Sequence, residues 1–345
     1  MSRLAKGSRL YPLSTLRQYV PEDLELLERV KPDVVVGDFR LSLSVSARVA
    51  GIPYVALSNA YWSPYASRRR IPMPSLPMAR ILGVPLASAF FALGRPFAFA
   101  WHTVPLNLLR REYGLPSLGL DLRRVYTDAD MTLYADVPEL VPTSSLPDTH
   151  RYIGPVEWSP ELPMPDFPPA ASGRPLVYVT LGSSGSGALL PVILEALSEL
   201  DCHVAVASAG ARLEHVPANV TVADYLPGAQ MSARADLVIC NGGSPTSHQA
   251  LACGVPVLGI PFNLDQHLNM DCVVAYGAGL ALRPEHATVR TLRSAAQGLL
   301  TDSQCRGRAA EIGRIFGARR AAEGFHQALD AAIAQHANTP RTGKP

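Results

Sequence analysis

The sequence predicts an α/β protein with two doubly wound domains, each built on a parallel sheet. Short apolar runs without breakers alternate with helical patterns along most of the chain, as expected for strands covered on both faces. A length of 345 residues suits two domains of ordinary size. Ten of the 31 prolines lie between residues 138 and 175, without a helical period. We therefore expect domains at 1–137 and 175–335, a stiff linker at 138–174 and a disordered tail at 336–345.

Composition excludes several classes of protein. Apolar residues make up 48% of the chain and charged residues 17%, which indicates a globular protein. A net charge of +2 is too small to indicate a nucleic-acid partner. The five cysteines form no Cys-x-x-Cys pair and lie mostly in apolar runs, which favours buried, reduced thiols. The basic start has no apolar core of a signal peptide, so we expect a cytoplasmic protein.

The helices and strands of the first domain are predicted from the pattern of apolar residues and from the positions of prolines. After a loose arm over residues 1–20, a helix is predicted from Pro21, with Glu22 and Asp23 in its first turn and a proline just beyond its end. Asp38 then follows a buried strand, at the sheet edge where catalytic groups gather. The remaining predicted elements are helices at 21–30 and 41–50, strands at 33–37, 53–57 and 131–134, and helical pieces broken by prolines over 73–116.

Polar and aromatic side chains follow the strand at 53–57. Asn59, Tyr61 and Trp62 lie there, at the carboxyl end of a predicted strand. Such a position suits an acceptor pocket, although aromatic residues in a loop often serve ordinary packing. Both interpretations remain open from the sequence.

The second domain opens with a strand at 175–181 and a glycine-rich loop. That loop, Gly182 to Gly187, is neither a dinucleotide fingerprint nor a phosphate-binding loop with its lysine, so alone it is a weak signal. The turn at 224–230 follows a later strand and contains Leu226. The other predicted elements are a helix at 189–200, strands at 203–207 and 220–223, and a long alanine-rich helix at 304–335.

The stretch from 236 to 269 carries the most specific chemistry. It predicts a strand at 237–240, a glycine turn, a helix at 245–252, a strand at 255–260 and an acidic loop. The two glycines of the turn let a ligand approach the backbone, and the hydroxyls of Ser244 and Thr246 join the free N–H groups of the helix start as an anion site. The Asp265-Gln266 pair suits neighbouring sugar hydroxyls. These features predict a nucleotide-sugar site; the alternative is a plain tight turn and a solvated acid.

This stretch resembles the donor-binding signature of GT-B glycosyltransferases related to the UDP-sugar-dependent family, family 1. There a His-Gly-Gly-type turn, a Ser/Thr and a later Asp-Gln pair hold the nucleotide sugar. Two residues depart from that pattern: Asn241 stands for the histidine, and Gln249 for a ribose-binding glutamate. The resemblance implies a GT-B fold and a set of donor-binding residues, with the main chain of Leu226 at the nucleobase: Gly182, Ser183, Ser184, Leu226, Asn241, Gly242, Gly243, Ser244, Thr246, Gln249, Asp265 and Gln266.

The resemblance also implies that the first domain is incomplete. The family's first strands and catalytic histidine have no counterpart, since the first twenty residues contain no histidine. Asp38 matches the acid that orients that histidine, so it is a remnant of the dyad or a strand-end cap. His102 is the best local candidate for a base, whereas His248 and His267 are expected to face phosphate or sugar. Either a longer product starts upstream of Met1, or this is a shortened member of the family.

One apolar segment is long enough to raise the question whether it spans a membrane. Residues 81–101 are mostly apolar, but Arg95 and the breakers Gly83, Pro85, Gly94 and Pro96 leave no run long enough to span. With the arginines at 68–70, the segment could lie weakly on an anionic bilayer. We favour the alternative, an amphipathic helix that lines the acceptor cleft.

The sequence thus predicts a metal-independent, inverting glycosyltransferase without a cofactor. A UDP- or TDP-hexose is the expected donor, and the hydroxyl of a small molecule or lipid is the acceptor. No Asp-x-Asp pair stands where a phosphate-bound metal would need it, so the helix start takes that role. A nucleotide-sugar-binding pseudoenzyme is the main alternative. An epimerase-like GT-B relative and an NAD oxidoreductase fit less well, the latter because its fingerprint is missing.

Overall fold

The structure, a computed structural model, describes residues 11–68, 70–164, 173–182 and 185–338. It divides into two compact units, each assembled from separate stretches of chain: unit 1 from 1–69, 90–154 and 320–345, and unit 2 from 70–89 and 155–319. Each unit contains one sheet in which every paired strand is parallel. The predicted α/β class with two doubly wound sheets is confirmed. The boundaries at 137 and 174 stay a prediction.

Unit 1 is built on a four-stranded sheet in the order β1-β2-β3-β4. Its core joins Val55, Met131 and Leu133 of the strands to Ala328 and Ala332 of the last helix. The carboxyl ends of β1, β2 and β3 are in register, so the residues that follow them lie at one edge. The elements are α1 Leu13–Val30, β1 Val35–Asp38, α2 Leu43–Ala50, β2 Tyr54–Ser58, α3 Met78–Leu82, α4 Val84–Glu112, α5 Leu122–Tyr126, β3 Met131–Tyr134 and β4 His150–Tyr152; α3 and the first turns of α4 fall in unit 2.

The first helix begins earlier than predicted. It starts at Leu13, so the loose arm expected up to residue 20 is wrong for its described part, and Pro21 lies inside the helix. The buried side chains are Leu16, Val20, Asp23 and Leu27, which continue one helical stripe across the proline. Burial of that stripe offsets the hydrogen bond that Pro21 removes, a cost of about 3 kcal/mol in an exposed helix.

The helical pieces predicted over 73–116 are mostly one helix. α4 runs for 29 residues with Pro96 and Pro105 inside it. Its second half is packed through Phe99, Leu106 and Leu109, which are buried, and this packing holds the helix together where proline would otherwise end it. Among the described residues, α4 is the one helix long and apolar enough to cross a membrane by length and composition.

Unit 2 contains a six-stranded sheet in the order β10-β9-β8-β5-β6-β7. The strands predicted at 203–207, 220–223 and 237–240 are confirmed, and β8, α8 and β9 form the predicted strand-helix-strand unit with parallel, adjacent strands. The elements are β5 Leu176–Thr180, α6 Leu190–Ser198, β6 His203–Ala207, β7 Val220–Ala223, α7 Gly228–Arg234, β8 Leu237–Cys240, α8 Ser244–Ala252, β9 Val257–Gly259, α9 Leu264–Tyr276, β10 Gly279–Ala281, α10 Val289–Thr301 and α11 Ser303–Gly317, and α12 Ala321–Asn338 returns to unit 1.

Four expectations differ from the structure in detail. The acidic loop at 263–269 is wrong: Asn263 caps α9, whose first turn contains Asp265 and Gln266. The long helix at 304–335 is two helices, α11 and α12. The predicted linker contains β4, which pairs with β3. Cys253 is exposed, whereas the other four thiols are buried as predicted. The predicted tail beyond residue 338 lies outside the described residues.

Candidate active site

Two glycine loops that follow separate strands meet at one edge of the sheet in unit 2. β5 and β8 are neighbours, with Thr180 paired to Cys240, so the residues after both strands emerge side by side. A Cβ atom placed on Gly182 would lie 3.3 Å from Nδ2 of Asn241. The structure therefore brings together the first residues of two loops predicted to bind phosphate. Ser183 and Ser184 lie outside the described residues.

The turn after β8 is held in one conformation by its own atoms. Gly242 has a φ of 78°, a region that glycine adopts readily. A Cβ atom there would lie 2.5 Å from Cγ of Met270, so the site admits no larger residue. The Asn241 side chain accepts a hydrogen bond through Oδ1 from the Gly243 N–H at 3.0 Å. Its Nδ2 is the atom nearest Gly182, where an amide can donate to an anion.

The buried side chain of Asn269, in α9, fastens this turn to α8. Its Nδ2 donates to the carbonyl oxygen of Gly242 and to Oγ of Ser247, both at 2.8 Å. Ser247 in turn donates to the carbonyl oxygen of Gly243 at 3.0 Å. Sequence analysis missed Asn269. The available signal was an amide one helical turn after Asp265 and Gln266, on the same side of the helix.

The start of α8 provides an anion site of the predicted type. Gly243 precedes the helix in an extended conformation and supplies no side-chain cap. The first-turn N–H groups and the helix dipole therefore point at whatever lies beyond Gly243. Ser244 and Thr246, both half-buried, add hydroxyl groups at the same end. This arrangement is suited to a phosphate group.

The acid and amide predicted to hold the sugar differ in their environment. Asp265 is half-buried in the first turn of α9. Gln266 is buried, and its Oε1 accepts hydrogen bonds from the N–H groups of Phe262 and Asn263 at 2.9 and 3.3 Å. Gln266 thus completes a capping box with Asn263, and a contact with sugar would fall to its amide nitrogen. The sugar-binding role of both residues stays a prediction.

Gln249 links the turn at 224–230, which is predicted to meet the nucleobase, to the segment that precedes β5. Its Nε2 donates to the carbonyl oxygen of Trp158 at 2.5 Å. A Cβ atom on Gly228 would lie 2.7 Å from Oε1 of Gln249, so the glycine makes room for this side chain. The side chain of Leu226 is buried, and the contact of its main chain with a nucleobase stays a prediction.

Two histidines of this region are core residues. The expectation that His248 and His267 face phosphate or sugar is wrong for His248, whose ring packs edge-on against Phe316 of α11 at 5.4 Å. Both rings are buried. Burial lowers the pKa of each to about 4, and Arg283 adds to the effect at His267. Both are therefore neutral at pH 7.

The carboxyl edge of the sheet in unit 1 contains the remaining candidates. Asp38 is exposed at the end of β1. Asp136, which sequence analysis did not single out as a site residue, accepts hydrogen bonds through Oδ2 from the Ala60 N–H at 2.5 Å and from Nδ2 of Asn59 at 3.3 Å. It lies two residues beyond β3, and Asp38 is the last residue of β1; placement of both at the carboxyl ends of strands was the available signal. Asp136 thereby orients Asn59.

The aromatic residues predicted to bind acceptor are packed inside unit 1. Tyr61 and Trp62 are both buried, and the Trp62 ring lies edge-on to Tyr126 with centroids 4.9 Å apart. This favours the packing alternative for both side chains. Among the predicted acceptor residues, Asn59 remains half-buried at the edge, and its role stays a prediction. His102 lies half-buried on α4.

Comparison with known proteins identifies the class. The family described as "Erythromycin biosynthesis protein CIII-like, C-terminal domain" matches residues 191–320. In solved structures, the spinosyn rhamnosyltransferase SpnG complexed with thymidine diphosphate resembles the chain with a TM-score of 0.66, at 20% identity over 91% of this chain and 78% of that one. Together with the two parallel sheets, this likeness shows the GT-B glycosyltransferase fold.

Closer relatives come from mycobacteria. A "PGL/p-HBAD biosynthesis glycosyltransferase" of Mycobacterium tuberculosis is 51% identical over 333 residues, which are 96% of this chain and 77% of the relative. A "PGL/p-HBAD biosynthesis rhamnosyltransferase" of Mycobacterium bovis is 50% identical over 97% of this chain and 74% of the relative. A third protein of M. bovis, an "Inactive PGL/p-HBAD biosynthesis glycosyltransferase", is 56% identical over 56% of this chain and 53% of its own length.

The chain belongs to the family 1-like GT-B glycosyltransferases that include these mycobacterial enzymes. Sugar transfer from a nucleotide-sugar donor is the activity that this family performs. The resemblance read from residues 236–269 is thereby confirmed.

Proposed function

We propose that this glycosyltransferase moves a hexose from a UDP- or TDP-sugar to an acceptor hydroxyl with inversion and without a metal ion. The observation that carries the proposal is the meeting of Gly182 and Asn241 beside the start of α8. Two loops and one helix terminus then offer N–H and hydroxyl donors to the same diphosphate. The name of the spinosyn neighbour, a complex with thymidine diphosphate, supports a thymidine nucleotide, and the name of the M. bovis relative supports rhamnose.

The chemistry assigned to the donor side is stabilisation of the leaving group. The acceptor oxygen attacks the anomeric carbon as the bond from that carbon to the diphosphate breaks, and negative charge grows on the departing phosphate. The N–H groups at the start of α8, the Thr246 hydroxyl and Nδ2 of Asn241 are fixed before the reaction, so they stabilise that charge without reorganising. Their arrangement supports a mechanism that needs no metal.

The proton of the acceptor hydroxyl needs a base on the acceptor side; His102, half-buried on α4, is this chain's candidate for that base, with Asp38 as the acid that would orient an imidazole. Asp38 is exposed at the end of β1, at the edge where Asp136 orients Asn59. A carboxylate in that position fixes the tautomer and direction of an imidazole and stabilises its protonated form. We propose an acceptor that is a small molecule or lipid; the name of a solved neighbour, spinosyn rhamnosyltransferase SpnG complexed with spinosyn aglycone, supports a small-molecule acceptor.

Calorimetric titration of TDP- and UDP-sugars tests the donor site. Thr246→Ala and Asp265→Asn should each weaken binding of the TDP- or UDP-sugar about tenfold, the loss of one or two hydrogen bonds to a charged ligand. Thr301→Ala and Asp201→Asn remove a hydroxyl and a carboxylate from exposed positions in unit 2 and should bind as the native protein does. Full affinity in both site variants would refute the site.

A second candidate function is nucleotide-sugar binding without transfer. It is favoured by the relative named inactive, which is 56% identical over 56% of this chain. It predicts saturable donor binding with no hydrolysis and no transfer. Turnover by the 345-residue chain would rule it out.

We also propose that the protein works in the cytoplasm and makes a weak, peripheral contact with membrane. The length and apolar composition of α4 support that contact.

A further inference from the structure

The long helix α4 exposes a row of large apolar side chains in unit 1. Phe90, Leu93, Phe97 and Trp101 are 51%, 73%, 79% and 53% exposed. They are spaced three or four residues apart, so they fall within a sector of roughly 80° on the helix. We call these four side chains the aromatic face. Isolated exposed apolar residues are ordinary, but a continuous row on one helix marks an interaction surface.

The opposite side of the same helix is anchored in the protein. Phe99, Leu106 and Leu109 are buried, and the guanidinium of Arg110 forms an ion pair with Asp128 at 2.6 Å. Extracting the second half of α4 would expose this core and leave a buried charge unpaired. The helix therefore cannot cross a bilayer while unit 1 stays folded. Its aromatic face points away from the anchored side, as a helix that lies on a surface requires.

The charge of the stretch of sequence that contains α4 indicates which kind of surface the helix contacts. Residues 39–111 contain no aspartate or glutamate. The same stretch contains nine arginines: Arg40, Arg48, Arg68, Arg69, Arg70, Arg80, Arg95, Arg110 and Arg111. Three of them pair with acids outside the stretch, Arg40 with Asp23 and both Arg48 and Arg110 with Asp128. A stretch of one sign of charge beside exposed aromatic residues is complementary to anionic lipid headgroups.

We propose that the aromatic face of α4 seats the protein on the surface of an anionic lipid bilayer. The proposal rests on the peripheral contact proposed above and names its residues and the lipid chemistry. Phenylalanine and leucine enter the boundary between headgroups and acyl chains, and Trp101 sits at the headgroup level, where indole rings concentrate. The exposed Arg111 and the half-buried Arg95 of the same helix supply the attraction to anionic headgroups. The interpretation that the segment lines an acceptor cleft is the alternative to this proposal.

Vesicle flotation with the full chain tests the proposal. Vesicles of phosphatidylcholine with phosphatidylglycerol should carry the protein upward, and vesicles of phosphatidylcholine alone should carry much less. F90S/F97S should weaken partitioning about tenfold or more, since each phenylalanine contributes buried apolar area. The matched control is L26S/V30S, which removes two exposed apolar side chains from α1 of the same unit and should partition like the native protein.

A second measurement does not depend on variants of the face. A W158F protein keeps two of the three tryptophans, and Trp101 is the exposed one because Trp62 is buried. Brominated phosphatidylcholine mixed with phosphatidylglycerol should quench its emission. Absence of quenching, or equal partitioning of F90S/F97S and native protein, would overturn the proposal. So would a concentration-dependent dimer that F90S/F97S abolishes while vesicles bind nothing, since a second copy would then cover the face.

The outcome is separable from that of the donor site. F90S/F97S should titrate nucleotide sugar with native affinity, because the aromatic face lies in unit 1 and the donor residues in unit 2. If the native protein failed to bind nucleotide sugar, the proposed function would be refuted, and the vesicle result would still stand.

Discussion

The buried amide of Asn269 donates hydrogen bonds to the carbonyl oxygen of Gly242 and to the hydroxyl of Ser247, both at 2.8 Å. One side chain thus links the glycine turn, the first turns of α8 and the helix α9 that contains Asp265. We consider Asn269 a positioning residue: it touches the elements that we propose bind the donor and holds their relative placement.

Asn269→Ala should weaken donor affinity about tenfold as well as lower stability. Removing the amide leaves a buried carbonyl and hydroxyl without their donor, a cost of about 1–3 kcal/mol. Leu292→Ala in α10 is the control, because it truncates a buried side chain away from the turn and costs about 2–5 kcal/mol. Urea unfolding and calorimetric titration should show stability loss in both and affinity loss in Asn269→Ala alone. Equal donor affinity in the two variants would contradict the positioning role.

Gly242→Ala should destabilise unit 2 and reduce donor binding. The φ of 78° costs an alanine about 1–2 kcal/mol, and its Cβ atom would lie 2.5 Å from Cγ of Met270. Gly298→Ala, inside α10 with no atom within 4 Å of its Cβ position, should instead raise stability by about 0.5–1 kcal/mol. Thermal unfolding distinguishes the two; an unchanged midpoint for Gly242→Ala would show that the turn is less constrained than described.

The buried histidines predict a loss of stability in mild acid. The pKa of His248 and that of His267 are lowered from 6.5 to about 4 by burial, so the unfolded chain takes up protons that the folded chain refuses. Their contribution is present above pH 6.5 and is lost as the pH falls toward 4. Between pH 7 and pH 5, each should cost about 2 kcal/mol of unfolding free energy.

The pH dependence can be assigned with single variants. His267→Asn should reduce the difference in urea midpoint between pH 7 and pH 5, whereas His215→Asn, at an exposed position, should leave it unchanged. Equal pH dependence in all three proteins would show that these buried rings are not the source.

The ion pairs of Asp128 should be essential to unit 1. Asp128 bonds Arg48 at 2.9 Å and Arg110 at 2.6 Å, and the Arg110 side chain is 3% exposed. Burial lowers the pKa of Arg110, and Asp128 opposes that effect. Asp128→Asn removes the counter-charge and should cost about 3–5 kcal/mol. Glu323→Gln, in an exposed pair with Arg320, should change stability by less than about 1 kcal/mol. Equal effects in denaturant unfolding would contradict this ranking.

The sequence was most informative where local chemistry determines structure. The strand Leu237–Cys240, the turn with Gly242 and the helix after it follow from apolar runs and glycine, and all three are present. The helix breaks predicted at Pro21 and Pro105 are wrong, because buried side chains on either side of Pro21 and just after Pro105 outweigh a lost backbone hydrogen bond. Such burial depends on neighbours distant in sequence.

The site was harder to predict than the fold. Pairing of Gly182 with Asn241 required the strand order β8-β5, which a sequence does not state. Asn269 and Asp136 act on residues 27 and 76 or 77 positions away. His248 lies within the donor signature, yet its ring is buried and packs against Phe316 of α11. The local sequence pattern predicts where the proposed donor turn lies. Which side chains can reach that turn depends on tertiary contacts between residues distant in sequence.

A solved complex with thymidine diphosphate tests the central claim most directly. The account predicts the diphosphate within hydrogen-bond distance, about 3 Å, of the Thr246 hydroxyl, the first N–H groups of α8 and Nδ2 of Asn241. Diphosphate bound elsewhere in unit 2, with the Gly242 turn closed by side chains, would contradict it.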